Sequence, residues 1–161
     1  MTTAAAIIRP WKEEDLDGLV ALYREFPGAE TAAPADALRC RWETIRATPV
    51  VRGLLAEVDG KIVASCTLLV LPNLAGPSPA VAYVEHVITA STHRRRGHGT
   101  AVLKAALDLA WREGCYKVML MTDSKNEGTH RFYEGVGLIK GGSTAFVMRT
   151  PNGSSAPPRE K

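Results

Sequence analysis

The sequence predicts an α/β fold in which helices flank a central sheet. Apolar segments with strand-like patterning alternate along the chain with segments of helical spacing, and clusters of Gly, Pro or Asp-Gly separate them. With 161 residues, 45% hydrophobic and 23% charged, the chain has a globular composition and enough length to bury a sizeable core. We therefore expect residues 1–150 to form one domain.

The first half of the chain supplies three predicted strands and two predicted helices. The strands are short apolar runs at residues 5–9, 54–58 and 62–70. Asp59-Gly60 separates the second run from the third and favours a hairpin with a tight turn. The helices are residues 13–26, where apolar positions recur at helical spacing before Pro27-Gly28, and residues 35–47.

The second half supplies two helices and four strands. The predicted strands are residues 81–89, 116–121, 137–139 and 144–149. A helix follows the first of these and ends near Glu113, where Gly114 is a typical stop signal. Residues 124–127 read Ser-Lys-Asn-Glu, a capping box that opens a helix running to about Glu134. Residues 151–161 are rich in Pro, Gly, Ser and charge, which predicts a disordered tail.

Charge and targeting signals argue against nucleic-acid and membrane partners. The formal net charge is +3 and would be zero without Arg94, Arg95 and Arg96, so there is no broad basic surface of the nucleic-acid-binding kind. No signal peptide and no run of ~20 apolar residues is present, so we expect a cytoplasmic protein. The three cysteines, at positions 40, 66 and 115, have no metal-ligand spacing and are expected to be reduced core residues.

The stretch "RRRGHGTAV", residues 94–102, lies between a predicted strand and a long helix. The first amides of a helix have no acceptor within it, and glycines let an anion approach the backbone closely. No Gly-Lys-Ser/Thr follows, and only two glycines are present, so the Walker and Rossmann patterns are excluded. A pyrophosphate cradle and a polar helix-entry turn with solvated arginines both remain open on these residues alone.

The neighbouring motifs identify a family. Arg94-x-x-Gly97-x-Gly99 matches the Arg/Gln-x-x-Gly-x-Gly/Ala signature of the GNAT superfamily of acetyl-CoA-dependent N-acetyltransferases. Downstream, "NEGTHRFYEGVGL" resembles the second motif of the same superfamily. The resemblance implies a GNAT fold: a mostly antiparallel mixed sheet of six to seven strands, splayed in the middle and flanked by about four helices.

Finer details point to small-amine acetyltransferases. "VEHVIT", "GCYKVML" and "FYEGVGL" together are similar to glucosamine-6-phosphate and aminoalkylphosphonate acetyltransferases. The glucosamine-phosphate enzymes typically carry an acidic residue where this chain has His86, so the acceptor stays open. We expect a small-molecule primary amine that attacks the thioester directly in a ternary complex, and a homodimer. The alternatives are a protein N-terminus or lysine as acceptor, and a GNAT-fold protein that binds acyl-CoA without turnover.

The resemblance also implies which residues bind acetyl-CoA. The strand at Val87, Ile88 and Thr89 would pair with the pantetheine arm, and the Val87 amide would stabilise the charge that develops on the thioester oxygen. Asn126 either contacts the pantetheine or is an ordinary helix N-terminal residue. The pyrophosphate would be held by backbone amides, with the arginine side chains solvated near the ribose phosphate. Those amides belong to Arg95, Arg96, Gly97, His98, Gly99 and Thr100.

Two residues are expected to carry the proton transfers. A tyrosine is protonated at neutral pH, so Tyr133 is the candidate general acid, unless it only packs beside Phe132. Glu85 lies on an otherwise apolar strand and is the candidate base or amine binder, unless it faces solvent. Strand alternation places Val87 on the face of Glu85, and His86, a second candidate base or a core histidine, on the other. The remaining histidines show no metal-ligand spacing, so we expect no metal.

Overall fold

The computed structural model describes residues 5–26, 33–122, 125–142 and 144–147. Within them, five strands form one sheet in chain order. The strands are β1 (Ile7–Pro10), β2 (Val51–Val58), β3 (Lys61–Pro72), β4 (Ala80–Thr89) and β5 (Cys115–Met119). The pairs from β1 to β4 are antiparallel and β5 is parallel to β4. The predicted mixed, mostly antiparallel sheet is therefore confirmed.

Four α-helices accompany this sheet in the described part of the chain. They are α1 (Leu16–Tyr23), α2 (Ala35–Ala47), α3 (His98–Arg112) and α4 (Glu127–Glu134). The predicted bounds of α2 are confirmed, whereas α1 is shorter than predicted because its first residues, Glu13–Asp15, form a 3₁₀ turn. Gly114 follows α3 with φ +80°, as a helix stop signal requires. The N-cap of α4 is Asn126, and Ser124 of the predicted capping box lies outside the described residues.

The sheet is covered on both faces. Alternate β3 residues Ala64, Cys66 and Leu68 are fully buried in a core that includes Leu103 and other residues of α3. The β3 residues between them face α1, which packs across the same strand. As a result β3 is buried without interruption from Val63 to Thr67 and beyond, and no polar and apolar alternation appears along it.

The turn between β2 and β3 has the predicted conformation. Asp59 and Gly60 both have positive φ, at 49° and 72°. Two successive left-handed residues form the type I′ turn, whose twist matches that of the paired strands, and Asp-Gly is a preferred sequence for it.

The two strands predicted after α4 are wrong over the described residues. Positions 137–139 and 144–147 are not in strands, and the sheet has five strands in the described residues rather than six to seven. Gly137 and Gly141 have φ of +95° and +82°, so the chain turns on either side of Leu138 and Ile139 and cannot extend along β5. Positions 148 and 149 and the predicted disordered tail, residues 151–161, lie outside the described residues.

The cysteines only partly follow the prediction. All three are free thiols; Cys66 and Cys115 are buried, but Cys40 is exposed on α2. Burial raises the pKa of Cys66 to about 12, so this thiol stays protonated. Among the described residues, no group of His, Cys, Asp or Glu has the arrangement of a metal site. None of the described helices has both the length and the apolar character needed to cross a membrane.

Candidate active site

The sheet opens between β4 and β5. β4 pairs with β5 only over its first residues, and the last pair joins Tyr83 to Met119, the final residue of β5. Beyond Tyr83, residues 84–89 of β4 have no partner on β5, so their backbone edge on that side faces the gap. This is the splay that the resemblance implied, and it gives an extended ligand an unpaired strand to bind.

A bulge in β4 lies beside this opening. Glu85 is opposite Thr67 and Ile88 is opposite Ser65, so two residues of β4 occupy the space of one on β3. The first of them, His86, has φ +53°, a left-handed conformation that is uncommon for a residue other than glycine. The extra residue leaves His86 and Val87 outside the register with β3.

The bulge corrects the prediction about the two faces of β4. Glu85 and Ile88 share the face covered by α1, where Ile88 packs with Leu22. Val87 instead packs against the core on the α3 side, so Glu85 and Val87 do not share a face. The period of two fails because a left-handed residue resets the alternation of the strand.

The turn before α3 has the geometry of an anion site. Arg95 and Gly97 have positive φ of 58° and 84°, and the first bond inside the helix runs from the Ala101 amide to the Gly97 carbonyl, at 2.9 Å. The amides of the three residues between them, the first turn of α3, have no acceptor within the helix. A Cβ at Gly97 would meet no atom within 4 Å, so this backbone is open to a ligand.

The second glycine of the signature has a different role from the one predicted. Gly99 is buried, and a Cβ there would lie 2.6 Å from Thr89 Oγ1 and 3.6 Å from the ring of Phe132. The interpretation that its missing side chain makes room for an anion is therefore wrong. Gly99 instead lets β4, α3 and α4 meet closely at the end of the opening, and its amide still belongs to the free first turn.

The three arginines are exposed, as expected, but they are not equivalent. The Arg94 Nε donates a hydrogen bond to the carbonyl of Thr89, at 3.2 Å. Arg94 therefore ties the glycine turn to the end of β4, while the side chains of Arg95 and Arg96 are exposed on the same turn.

His98 contributes its backbone rather than its side chain to this turn. The residue is 7% exposed, and its Nε2 has no hydrogen-bond partner among the described residues. Burial lowers its pKa, and the positive charges of His93 and Arg96 lower it further. The imidazole is therefore neutral at pH 7, and the predicted contact between the His98 amide and an anion stays a prediction.

Asn126 caps α4. Its side-chain Oδ1 accepts a hydrogen bond from the Gly128 amide, at 2.7 Å, which satisfies one of the free donors of the helix. This contact fulfils the structural role that the sequence left open. The contact with the pantetheine stays a prediction.

Tyr133 on α4 has the properties of a proton donor. Its ring lies 5.0 Å from that of Phe132, which in turn packs on Gly99, so α4 holds it beside the core. Burial raises the pKa of the Tyr133 phenol, and the Cys66 and Glu85 groups raise it further because their negative forms repel a phenolate. The phenol therefore keeps its proton at neutral pH.

Glu85 and Tyr133 come from different elements, and the charge of Glu85 raises the pKa of the Tyr133 phenol after the larger effects of burial and Cys66. The same carboxylate also contributes to the raised pKa of Tyr83, after the larger effect of burial. Sequence reasoning missed Tyr83, although its position two residues before Glu85 on one strand face was a usable signal. Tyr83 and Tyr133 both line a groove of about 810 Å³ that runs along β5, residues 136–142 and residues 144–146.

Comparison with known proteins assigns the family. The sequence profile of the "Acetyltransferase (GNAT) family" matches residues 16–138, which include the bulge, the glycine turn and Tyr133. The chain belongs to the GNAT family. The protein is an N-acetyltransferase, and its described sheet and helices have the GNAT fold.

Individual relatives agree with this GNAT assignment. The chain is 30% identical over 137 residues to a "Glucosamine 6-phosphate N-acetyltransferase" of Trypanosoma brucei brucei, with 81% of this chain and 87% of the relative covered. A solved "Putative acetyltransferase" from Agrobacterium tumefaciens str. C58 is 32% identical, with a TM-score of 0.85 over 89% of this chain and 99% of that one. The glucosamine-6-phosphate N-acetyltransferase of Arabidopsis thaliana has the same fold, with a TM-score of 0.72 and 23% identity over 91% and 97% of the two chains.

Proposed function

We propose that this GNAT enzyme transfers the acetyl group of acetyl-CoA to the primary amine of a small molecule. The amine would attack the thioester directly while both substrates are bound. The observation that carries the proposal is the opening beside β4, where a protonated tyrosine, a carboxylate and an unpaired strand edge converge.

The opening fits the shape and charge of acetyl-CoA. Residues 84–89 offer one unpaired edge of β4, which suits the amide groups of a pantetheine arm, through Val87, Ile88 and Thr89. The amides from Arg95 to Thr100 surround the open backbone at Gly97 and the positive end of α3, which suits a pyrophosphate. The exposed side chains of Arg95 and Arg96 add positive charge to the same turn.

The residues around the bulge would divide the chemistry between them. Acetyl-CoA supplies an activated thioester to this site. The Val87 amide would donate a hydrogen bond to the thioester oxygen and stabilise charge that develops there. Glu85 would accept the proton of the amine, directly or through a water, and Tyr133 would donate its proton to the departing sulfur.

A small-molecule acceptor is favoured over a protein acceptor by the relative from Trypanosoma brucei brucei, whose name gives glucosamine 6-phosphate as its substrate. We leave the amine itself open within that class. A non-catalytic acyl-CoA-binding role is disfavoured by Tyr133, because a partly buried, protonated phenol beside the opening serves proton donation and is not needed for binding.

A panel of amines with acetyl-CoA tests the proposal, by release of free thiol and by the mass of the acetylated product. The panel includes amino sugars, alkyl and arylalkyl amines and a peptide with a free N-terminus. We expect thiol release with at least one small amine and none with its N-acetylated form, which is the matched control. Acetylation of the peptide alone would favour the protein-acceptor alternative, and CoA binding without release for any amine would contradict catalysis.

Two further parts of the proposal concern the protein in the cell. We propose a cytoplasmic location, which the free thiols of Cys40, Cys66 and Cys115 support, since oxidising compartments favour disulfides. We also propose a homodimer, and the mass of the protein in solution tests it.

A further inference from the structure

Three aromatic side chains meet at the β4 bulge. They belong to Tyr23 at the end of α1, Phe26 just after it and His86 in the bulge. The ring centroids lie 5.8 Å apart for Tyr23 and Phe26, 6.0 Å for Tyr23 and His86, and 6.3 Å for Phe26 and His86. Tyr23 and Phe26 are partly buried and His86 is exposed, so this aromatic cluster reaches from the interior to the surface.

The cluster lies on the same face of the sheet as Glu85. Side chains directly opposite in an antiparallel pair share a face, and Glu85 is opposite Thr67. Tyr23 and Phe26 pack on the buried cluster that contains Ile88, and Ile88 shares this face with Glu85. Burial raises the pKa of the Tyr23 phenol, and the hydroxyls of Ser65 and Thr67 oppose that rise. Its Oη makes no well-formed hydrogen bond with any described residue. The rings therefore form a wall that leads from the surface towards the carboxylate.

Such a wall suits an ammonium group on an apolar skeleton. The faces of aromatic rings attract cations and pack against carbon, and a carboxylate behind them adds the opposite charge. In the described part of the chain, the cations that lie over aromatic rings are Arg46 on Trp42 and Lys117 on Tyr116, both outside the cluster. A phosphate placed beside Glu85 would meet repulsion instead.

Resting on the proposed function, we infer that Tyr23, Phe26 and His86 form the acceptor subsite and select an alkyl or arylalkyl primary amine over a phosphorylated amino sugar. The left-handed bulge gives the site its form, because it turns His86 towards α1 while Glu85 keeps its place on the same face. The cluster acts on substrate recognition, and the proton transfers stay with Glu85 and Tyr133.

The experiment measures kcat and KM for 2-phenylethylamine and for glucosamine 6-phosphate by thiol release with the full-length enzyme. Phe26→Leu keeps apolar bulk and removes the aromatic face. His86→Asn removes the ring, while asparagine tolerates positive φ and so keeps the bulge. Trp42→Leu, at a buried residue of α2, is the matched loss of an aromatic ring outside both the cluster and the groove beside Tyr133. The Kd for CoA checks that each variant is folded.

We expect a kcat/KM for 2-phenylethylamine about tenfold above that for glucosamine 6-phosphate. Phe26→Leu and His86→Asn should each raise the KM for 2-phenylethylamine about fivefold, at nearly constant kcat, whereas Trp42→Leu should leave that KM unchanged. A preference for glucosamine 6-phosphate, turnover of neither probe, or an unchanged KM in the folded ring variants would overturn the inference and leave the proposed function intact. If either Phe26→Leu or His86→Asn does not fold, the KM for 2-phenylethylamine of the other variant tests the inference. If none of the amines in the panel supports thiol release, the proposed function itself is contradicted.

Discussion

The carboxylate of Glu85 raises the pKa of the Tyr133 phenol, although the two residues come from β4 and α4. Burial is the larger cause, and both effects act in the same direction, since each disfavours a phenolate. The group that accepts a proton and the group that donates one therefore share a single electrostatic environment at the opening of the sheet.

This coupling predicts a shift in titration. Glu85→Gln removes the negative charge, so ionisation of Tyr133 becomes easier and its pKa should fall towards the ordinary value for tyrosine. NMR of ¹³C-labelled tyrosine, followed over alkaline pH, measures the effect. Glu43→Gln, on α2, is the matched control and should leave the Tyr133 titration unchanged. A titration that is the same in Glu85→Gln and in the parent protein would show that the two groups are not coupled.

The open backbone at Gly97 predicts a specific loss of CoA affinity. Gly97→Ala strains a left-handed residue by ~1 kcal/mol and should raise the Kd for CoA about tenfold, which corresponds to ~1.4 kcal/mol. Gly60→Ala is the matched control, since Gly60 also has a positive φ and nothing within 4 Å of a Cβ, but lies in the β2–β3 turn. Calorimetric titration should show an unchanged Kd for Gly60→Ala. Equal Kd values for CoA in Gly97→Ala and Gly60→Ala would show that the turn at Gly97 does not hold the pyrophosphate.

The arginines should differ in their effect on binding. Arg94→Ala deletes the hydrogen bond to Thr89 that fixes the turn against β4, so we expect the Kd for CoA to rise about fivefold. Arg96→Ala removes an exposed side chain from the same turn, and a change of less than about twofold is expected because exposed charges contribute little. Titration at one fixed salt concentration compares them. A larger effect for Arg96→Ala would mean that direct charge, rather than the position of the turn, dominates binding.

A buried carboxylate next to β1 predicts acid sensitivity. Asp15 is 4% exposed and accepts hydrogen bonds from both terminal nitrogens of Arg9, at 2.7 and 2.8 Å. The guanidinium lowers the pKa of Asp15 in the folded state. The ion pair therefore contributes its full stabilisation above the pKa that Asp15 has in the unfolded chain. That stabilisation is lost as the pH falls through the lower pKa of Asp15 in the folded state.

Substitution of Asp15 should reproduce that loss at neutral pH. We expect Asp15→Asn to lower the free energy of unfolding by about 2 kcal/mol at pH 7 and by less near pH 3, where the Asp15 carboxyl of the unfolded chain is largely protonated and part of the stabilisation is lost. Urea denaturation at both pH values measures it. Asp17→Asn, at an exposed position of α1, is the control and should change stability little. A difference that persists undiminished in acid would point to packing rather than charge.

The sequence was sufficient for most of the fold because its signals are local. Helical spacing, Asp59-Gly60 and Gly114 each specify a conformation within a few residues, and the structure confirms them. The strands predicted after α4 had the same apolar patterning, but a strand also needs a partner edge, and the positive φ of Gly137 and Gly141 turns the chain away from one.

The site was less accessible to sequence reasoning. Nothing in "VEHVIT" indicates that His86 adopts a left-handed conformation, so the exchange of faces between Val87 and Ile88 could not be foreseen. Gly97 and Gly99 look alike in the signature, yet only the packing of Thr89 and Phe132 distinguishes the open glycine from the buried one. Tyr23 comes from a distant segment, and its approach to the bulge depends on how α1 packs across the sheet.

The central claim is that Tyr133 donates the proton that lets the CoA sulfur depart, and the most direct test is the kcat of Tyr133→Phe. The substitution keeps the ring packed beside Phe132 and deletes only the proton. We expect kcat to fall ~10²-fold or more, the usual size for a lost general acid, with the Kd for CoA nearly unchanged. A folded Tyr133→Phe enzyme with the kcat of the parent protein would contradict the account.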